Sequence, residues 1–174
     1  MQSHSETDAV PGAPRSLNAW SEPWFIHGFL GREGGVSAGR YRSLNLGYLV
    51  GDDRAAVDQN WTRVRGIVGE KFTLARSNQL HGATVHAVDQ GNAARPRNGD
   101  GLVTATPGVL LCILTADCVP IHMIDSTAGV IGALHAGWRG IVAGIADAGI
   151  AAMTQLGAQP GRIRVAMGPS IRQC

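Results

Sequence analysis

The chain has 174 residues, 15 basic and 13 acidic side chains for a formal charge of +2, 24 glycines and three cysteines. That length fits one domain that buries roughly 70% of its unfolded surface, so no disulfide or metal staple is needed for folding. A pI near 8.6 without a basic stripe argues against a general nucleic-acid binder.

Residues 1–22 are polar, punctuated by Pro and Gly and free of periodicity, which predicts a loosely ordered lead-in with His4 in solvent. The folded domain is expected over 23–174. WFIHGFL is a short β-leaning run, and GREGGVSAG after it is a glycine-dense loop. SLNLGYLVGDD follows, extended and then turning. Asp52 or Asp53 offers an N-cap, and Val57, Trp61, Val64 and Val68 recur at the spacing of one helix face, with Gly69 as the stop. FTLA, TVHAV, LVTAT, VLLCILTA, PIHMI and GVIGALHA read as strands, and QGNAARPRNGDG as a turn. Continuous runs such as VLLCIL predict strands covered on both faces. A final helix is expected over about Gly140–Leu156, before a strand in RIRVAMG. The expected class is α/β, with a mixed, largely buried sheet and few helices.

The first thirty residues lack a continuous apolar segment, and no apolar run approaches the roughly eighteen residues of a membrane helix. Three scattered cysteines do not make a disulfide scaffold. These features predict a soluble cytoplasmic protein with no membrane partner.

Three settings bring imidazole, thiol and guanidinium to strand ends. In Gln79-Leu80-His81-Gly82 a histidine before glycine can project into a cleft, or can be a satisfied turn residue. In Thr115-Ala116-Asp117-Cys118-Val119-Pro120, polar residues break an apolar strand, and a buried Asp117 would need a compensating partner. Cys118 there is a ligand or a small hydrophobe, while Cys112, inside VLLCIL, fits the core. In His135-Ala136-Gly137-Trp138-Arg139-Gly140, a strand-to-helix turn and the Arg139 fork suit an anion; the alternative is that Arg139 pairs with a surface acid and Trp138 caps the core. One thiolate and two imidazoles, from His81, Cys118 and His135, would leave a fourth tetrahedral position open, the pattern of a catalytic rather than a structural metal site.

HGFLGREGGVS, SLNLG, VGDD, QLHG, GDGLVT, TADCVPI, HAGWRG and GPSI occur in that order. Together they resemble the YfiH-type laccase-domain family, also described as multi-copper polyphenol oxidoreductase domains and, in bacteria, as peptidoglycan editing factors. The resemblance implies a single three-layer α/β domain and a metal, zinc or else copper, held by His81, Cys118 and His135. It also implies that the chain lacks the C-terminal third of the family domain. The implied activity is phosphorolysis of purine nucleosides (adenosine above all, with inosine, guanosine and methylthioadenosine) together with adenosine deamination.

For deamination, a metal that lowers the pKa of water toward about 7 provides the attacking group. Phosphorolysis needs phosphate aligned on the ribose anomeric carbon. Arg139 is the candidate clamp for that phosphate, and Asn45 a candidate contact for sugar or base; Arg40 and Arg42 are lesser anion candidates. Gly31 stands where relatives carry a hydroxyl residue before the arginine. The alternatives are a cysteine hydrolase or amidase on peptidoglycan precursors, with Cys118 as nucleophile and His135 as base, a copper-dependent polyphenol oxidase, and a metal-binding domain without turnover. A several-copper oxidase fits poorly with one three-ligand site.

Overall fold

The computed structural model describes residue 20 and residues 22–171, which fall into two compact units, Met1–Glu70 and Lys71–Cys174. Most of the expected lead-in, His4 and Cys174 lie outside the described residues.

The first unit is organised by helix α1, Arg54–Val68. Asp53 caps it, its carboxylate accepting from the Ala55 N–H at 3.0 Å, and Gly69 ends it at φ +92°. Val57, Trp61 and Val64 are buried on the predicted face, joined by Asn60. Asn60 explains how a glycine-dense loop is held: its Oδ1 accepts from the Val36 N–H at 2.8 Å, and its Nδ2 donates to Ser37 Oγ at 2.9 Å and to the Asn45 carbonyl at 2.8 Å. WFIHGFL does not form a regular strand. It is irregular apart from one bridge residue, Phe29, and Phe25 and His27 stack with ring centroids 4.9 Å apart.

The second unit holds strands β1 (Thr73–Asn78), β2 (Val85–Ala87), β3 (Arg97–Asn98), β4 (Gly101–Thr104), β5 (Val109–Cys112), β6 (Val119–Asp125), β7 (Val130–Ala136) and β8 (Arg164–Met167). Helices α2 (Trp138–Val142) and α3 (Ile145–Gln155) lie between β7 and β8. The α/β class is observed, but the strands divide between two sheets. One is parallel, in the order β3-β1-β5; the other is mixed, in the order β2-β4-β7-β6-β8. β4 is buried along its whole length because it is covered from both sides. Val103 joins Met123, Leu134, Ile145 and Met153 under α3, whereas Leu102 joins Ala75, Val88 and Val109 toward the parallel sheet. Each of the Val, Leu, Ile and Met side chains among them contributes roughly 1.5–3 kcal/mol on burial. The layers are therefore helix, mixed sheet and parallel sheet.

Three further expectations change. The predicted final helix is two helices, because Gly144 takes a left-handed conformation at φ +83° between them. The turn before β4 contains the short strand β3. The strand expected through VLLCILTA stops at Cys112: the Gln79 side chain, not a neighbouring strand, takes up the Leu114 backbone, accepting its N–H at 2.8 Å and donating to its carbonyl at 2.7 Å. No described helix is long and apolar enough to cross a membrane.

Candidate metal centre

The open end of the β6–β7 hairpin brings the three predicted ligands together. Val119 pairs with Ala136 and Pro120 with His135, so the antiparallel register sets Cys118, just before β6, beside the end of β7. His81 comes from the turn after β1. It is the one non-glycine residue with positive φ, +61°, among the described residues. His135 is buried, Cys118 half-buried and His81 exposed, and their ligand atoms all lie within 4.8 Å of one another. A tetrahedral ion with bonds of about 2.0–2.3 Å spaces its ligands by roughly 3.5 Å, so about 1 Å of side-chain movement closes the set.

Gly137 keeps this space clear. A Cβ there would stand 2.9 Å from His81 Cδ2 and 3.1 Å from Cys118 Sγ, in the middle of the donor set. The nitrogen and sulfur donors and the cradle beside a missing Cβ both fit a borderline-soft ion such as zinc. Were an ion held there, these three donors would leave a position for substrate or solvent.

Behind these three side chains sits Asp100, within GDGLVT, a residue whose role is not apparent from the sequence alone. It is 1% exposed. Its Oδ1 accepts from the His81 N–H at 2.8 Å and lies 2.8 Å from His135 Nδ1, while Oδ2 accepts from the N–H groups of Leu80 at 3.1 Å and Gly82 at 2.8 Å. Burial pushes this carboxyl up, but the bonds from His135 and from the Gly82, Leu80 and His81 N–H groups outweigh it and hold the group below the usual carboxylate range. An ionised carboxylate only accepts, so a His135 that donates from Nδ1 would have Nε2 left as its ligand atom. Gln79 was missed as well. By holding Leu114 it ties the segment leading into His81 to the one leading toward Cys118.

The other candidates lie outside this set of three. Arg139 is exposed on α2, its guanidinium 5.3 Å from the Trp138 ring centroid, and Trp138 is itself 70% exposed, so it does not cap the core. Asp117 is exposed; the chain break there hides no buried charge. Desolvation pushes the Cys112 thiol up to about 11 despite the nearby Arg76 charge, which leaves it an inert thiol. Asn45 lies in the first unit, where its carboxamide closes a turn: Oδ1 accepts from the Gly47 N–H at 3.0 Å and Nδ2 donates to Asp52 at 2.9 Å. Arg40 donates to the Tyr41 hydroxyl at 2.6 Å, and the Arg42 carbonyl accepts from the Arg32 guanidinium at 2.7 Å. At Gly31 an added Cβ meets open space.

Residues 26–174 match the family model described as multi-copper polyphenol oxidoreductase laccase. The chain belongs to this family. Among curated relatives of this laccase-type family, a purine nucleoside phosphorylase of Deinococcus radiodurans is 49% identical over 147 residues, covering 83% of this chain and 56% of that protein. The purine nucleoside phosphorylase ORF3 of Streptomyces griseus is 46% identical over 146 residues, covering 82% and 59% respectively. The crystal structure of YlmD from Geobacillus stearothermophilus superposes with a TM-score of 0.75 at 38% identity, covering 80% of this chain and 56% of that one. A Bacillus licheniformis hypothetical protein, YfiH, gives 0.76 at 32% identity, covering 83% and 58%. This laccase-family chain thus spans between half and two thirds of the length of the relatives it matches.

Proposed function

We propose that this chain carries the metal-binding part of a zinc-dependent purine nucleoside phosphorylase, which converts adenosine and phosphate to adenine and ribose 1-phosphate and accepts inosine, guanosine and methylthioadenosine. Deamination of adenosine to inosine and ammonia is assigned to the same centre. The observation that carries this reading is the convergence of His81, Cys118 and His135 within 4.8 Å of one another, in a chain 49% identical to a protein named for that reaction.

His81, Cys118 and His135 would hold the ion, which when bound supplies a Lewis acid and a lowered water pKa. Asp100 holds His135 so that Nε2 faces the donor set, and Gly137 leaves room there for a reacting group. Arg139, exposed in the first turn of α2, takes the phosphate charge through its planar fork. A phosphate oxygen then bonds to the anomeric carbon as the bond to the purine nitrogen breaks, and the proton that hydrogen phosphate gives up passes to that nitrogen as the base leaves.

The assay is adenosine with and without phosphate, and with and without chelator. Adenine and ribose 1-phosphate should form only with phosphate, and chelation should abolish turnover. A zinc-loaded chain that releases neither adenine nor inosine overturns the reading.

One geometric feature also favours a second reading. Asp100, His135 and Cys118 form an acid, imidazole and thiol series, the arrangement of a cysteine hydrolase acting on a cell-wall precursor. Activity that survives chelation and is lost on alkylation by iodoacetamide would select it over the metal reading.

A further inference from the structure

We propose that Asp100 is the positioning residue of this centre, a single carboxylate that sets the proton of one imidazole ligand and the backbone of the other. The inference rests on the reading of His81 and His135 as metal ligands. Asp100 precedes β4, between Gly99 and Gly101, and is 1% exposed, so water does not share its oxygens. Four donors from two distant segments converge on it. Three are the consecutive N–H groups of Leu80, His81 and Gly82, at 3.1, 2.8 and 2.8 Å; the fourth is His135 Nδ1, at 2.8 Å. The Asp100 carbonyl also accepts from the His135 N–H at 2.7 Å, so backbone and side chain of the two residues are locked together.

Each oxygen has a distinct task. Oδ2 takes the two N–H groups that flank His81, which holds the turn in its left-handed conformation. Oδ1 takes the His81 N–H and the His135 ring, so the two ligands share one acceptor atom. An amide in place of the carboxylate must present NH2 to one of these pairs of donors. Asp100→Asn therefore disturbs either the turn or the ring, without a change in size.

The test uses the whole chain in two measurements. Long-range proton–nitrogen NMR of the metal-free wild type should show His135 protonated on Nδ1, and D100N should lose that tautomer preference. Competition with a chromophoric chelator should show zinc affinity falling on the order of 10–100-fold in D100N. A structural role alone moves neither reading in a variant that still melts cooperatively. An Nε2-protonated His135 in the wild type overturns the proposal whether or not D100N folds, and so does a folded D100N with unchanged affinity and tautomer. A wild type that takes up no zinc overturns the metal reading instead, and the tautomer still decides the Asp100–His135 link.

Discussion

The two ends of the β6–β7 hairpin each bury a carboxylate, and both take three backbone N–H donors. At the turn end Asp125, 0% exposed, accepts from Thr127 and Ala128 at 3.1 Å each and from Gln159 at 2.8 Å, and the Arg162 guanidinium closes the set at 3.1 Å. At the open end Asp100 accepts from Leu80, His81 and Gly82, and the last partner is an imidazole. Both groups are satisfied, as buried polar groups generally are. What separates them is the last partner. A guanidinium has only donors, so the chain of bonds stops at Arg162; an imidazole has a second nitrogen, and His135 lies in one cluster with Cys118 and His81. One end is a clasp and the other is the candidate metal centre.

Removing the Cys118 sulfur should have the largest effect. Cys118→Ser is expected to weaken zinc binding by more than about 100-fold while leaving the melting temperature of the metal-free chain close to wild type, measured by chelator competition and by calorimetry. Gly137→Ala comes next. Its Cβ would meet His81 and Cys118, so zinc affinity should drop on the order of 10-fold as the ligands are pushed apart, with the fold intact by circular dichroism.

The clasp end should respond in the opposite sense. Asp125→Ala leaves three N–H groups and Arg162 without their acceptor, and should lower the melting temperature on the order of 10 °C while zinc affinity is unchanged. A pH effect follows from the same contacts. The Gln159 N–H, acting against burial and together with Arg162 and the Ala128 N–H, brings Asp125 down to about 2. A depressed carboxyl contributes stability above its unfolded value of about 3.9. That contribution should fade as pH falls from there toward 2, and calorimetry of Asp125→Asn across this window should show a shallower acid slope. The smallest effect is expected away from the hairpin: Asp53→Ala removes the cap of α1 and should cost about 1 kcal/mol in urea denaturation, without touching zinc binding.

Legibility in the sequence followed the range of the interactions. Helix α1 was readable because its spacing, its Asp53 cap and its Gly69 stop are local. The His81, Cys118 and His135 set was readable from ligand chemistry and motif resemblance together, although their separation along the chain hid the geometry. Strand β3 was not readable, since Arg97 and Asn98 carry no β signal and are extended only by pairing with Ser77 and Asn78. The break at Gly144 was masked by a helical pattern that runs through it. Asp100 and Gln79 escaped notice because their partners, Leu80 to Gly82 and Leu114, are brought to them by tertiary structure. The one local signal was an aspartate held between two glycines in front of a buried strand.

The left-handed backbone of His81 puts two kinds of selection at odds. Folding alone favours glycine at φ +61°, because a residue with a Cβ there carries a conformational cost on the order of 1 kcal/mol. Ligand chemistry wants the imidazole. A library of this chain screened only for heat resistance should therefore drift toward Gly at position 81, gaining melting temperature as it loses zinc, whereas a screen that retains metal should hold the histidine and find its stability elsewhere.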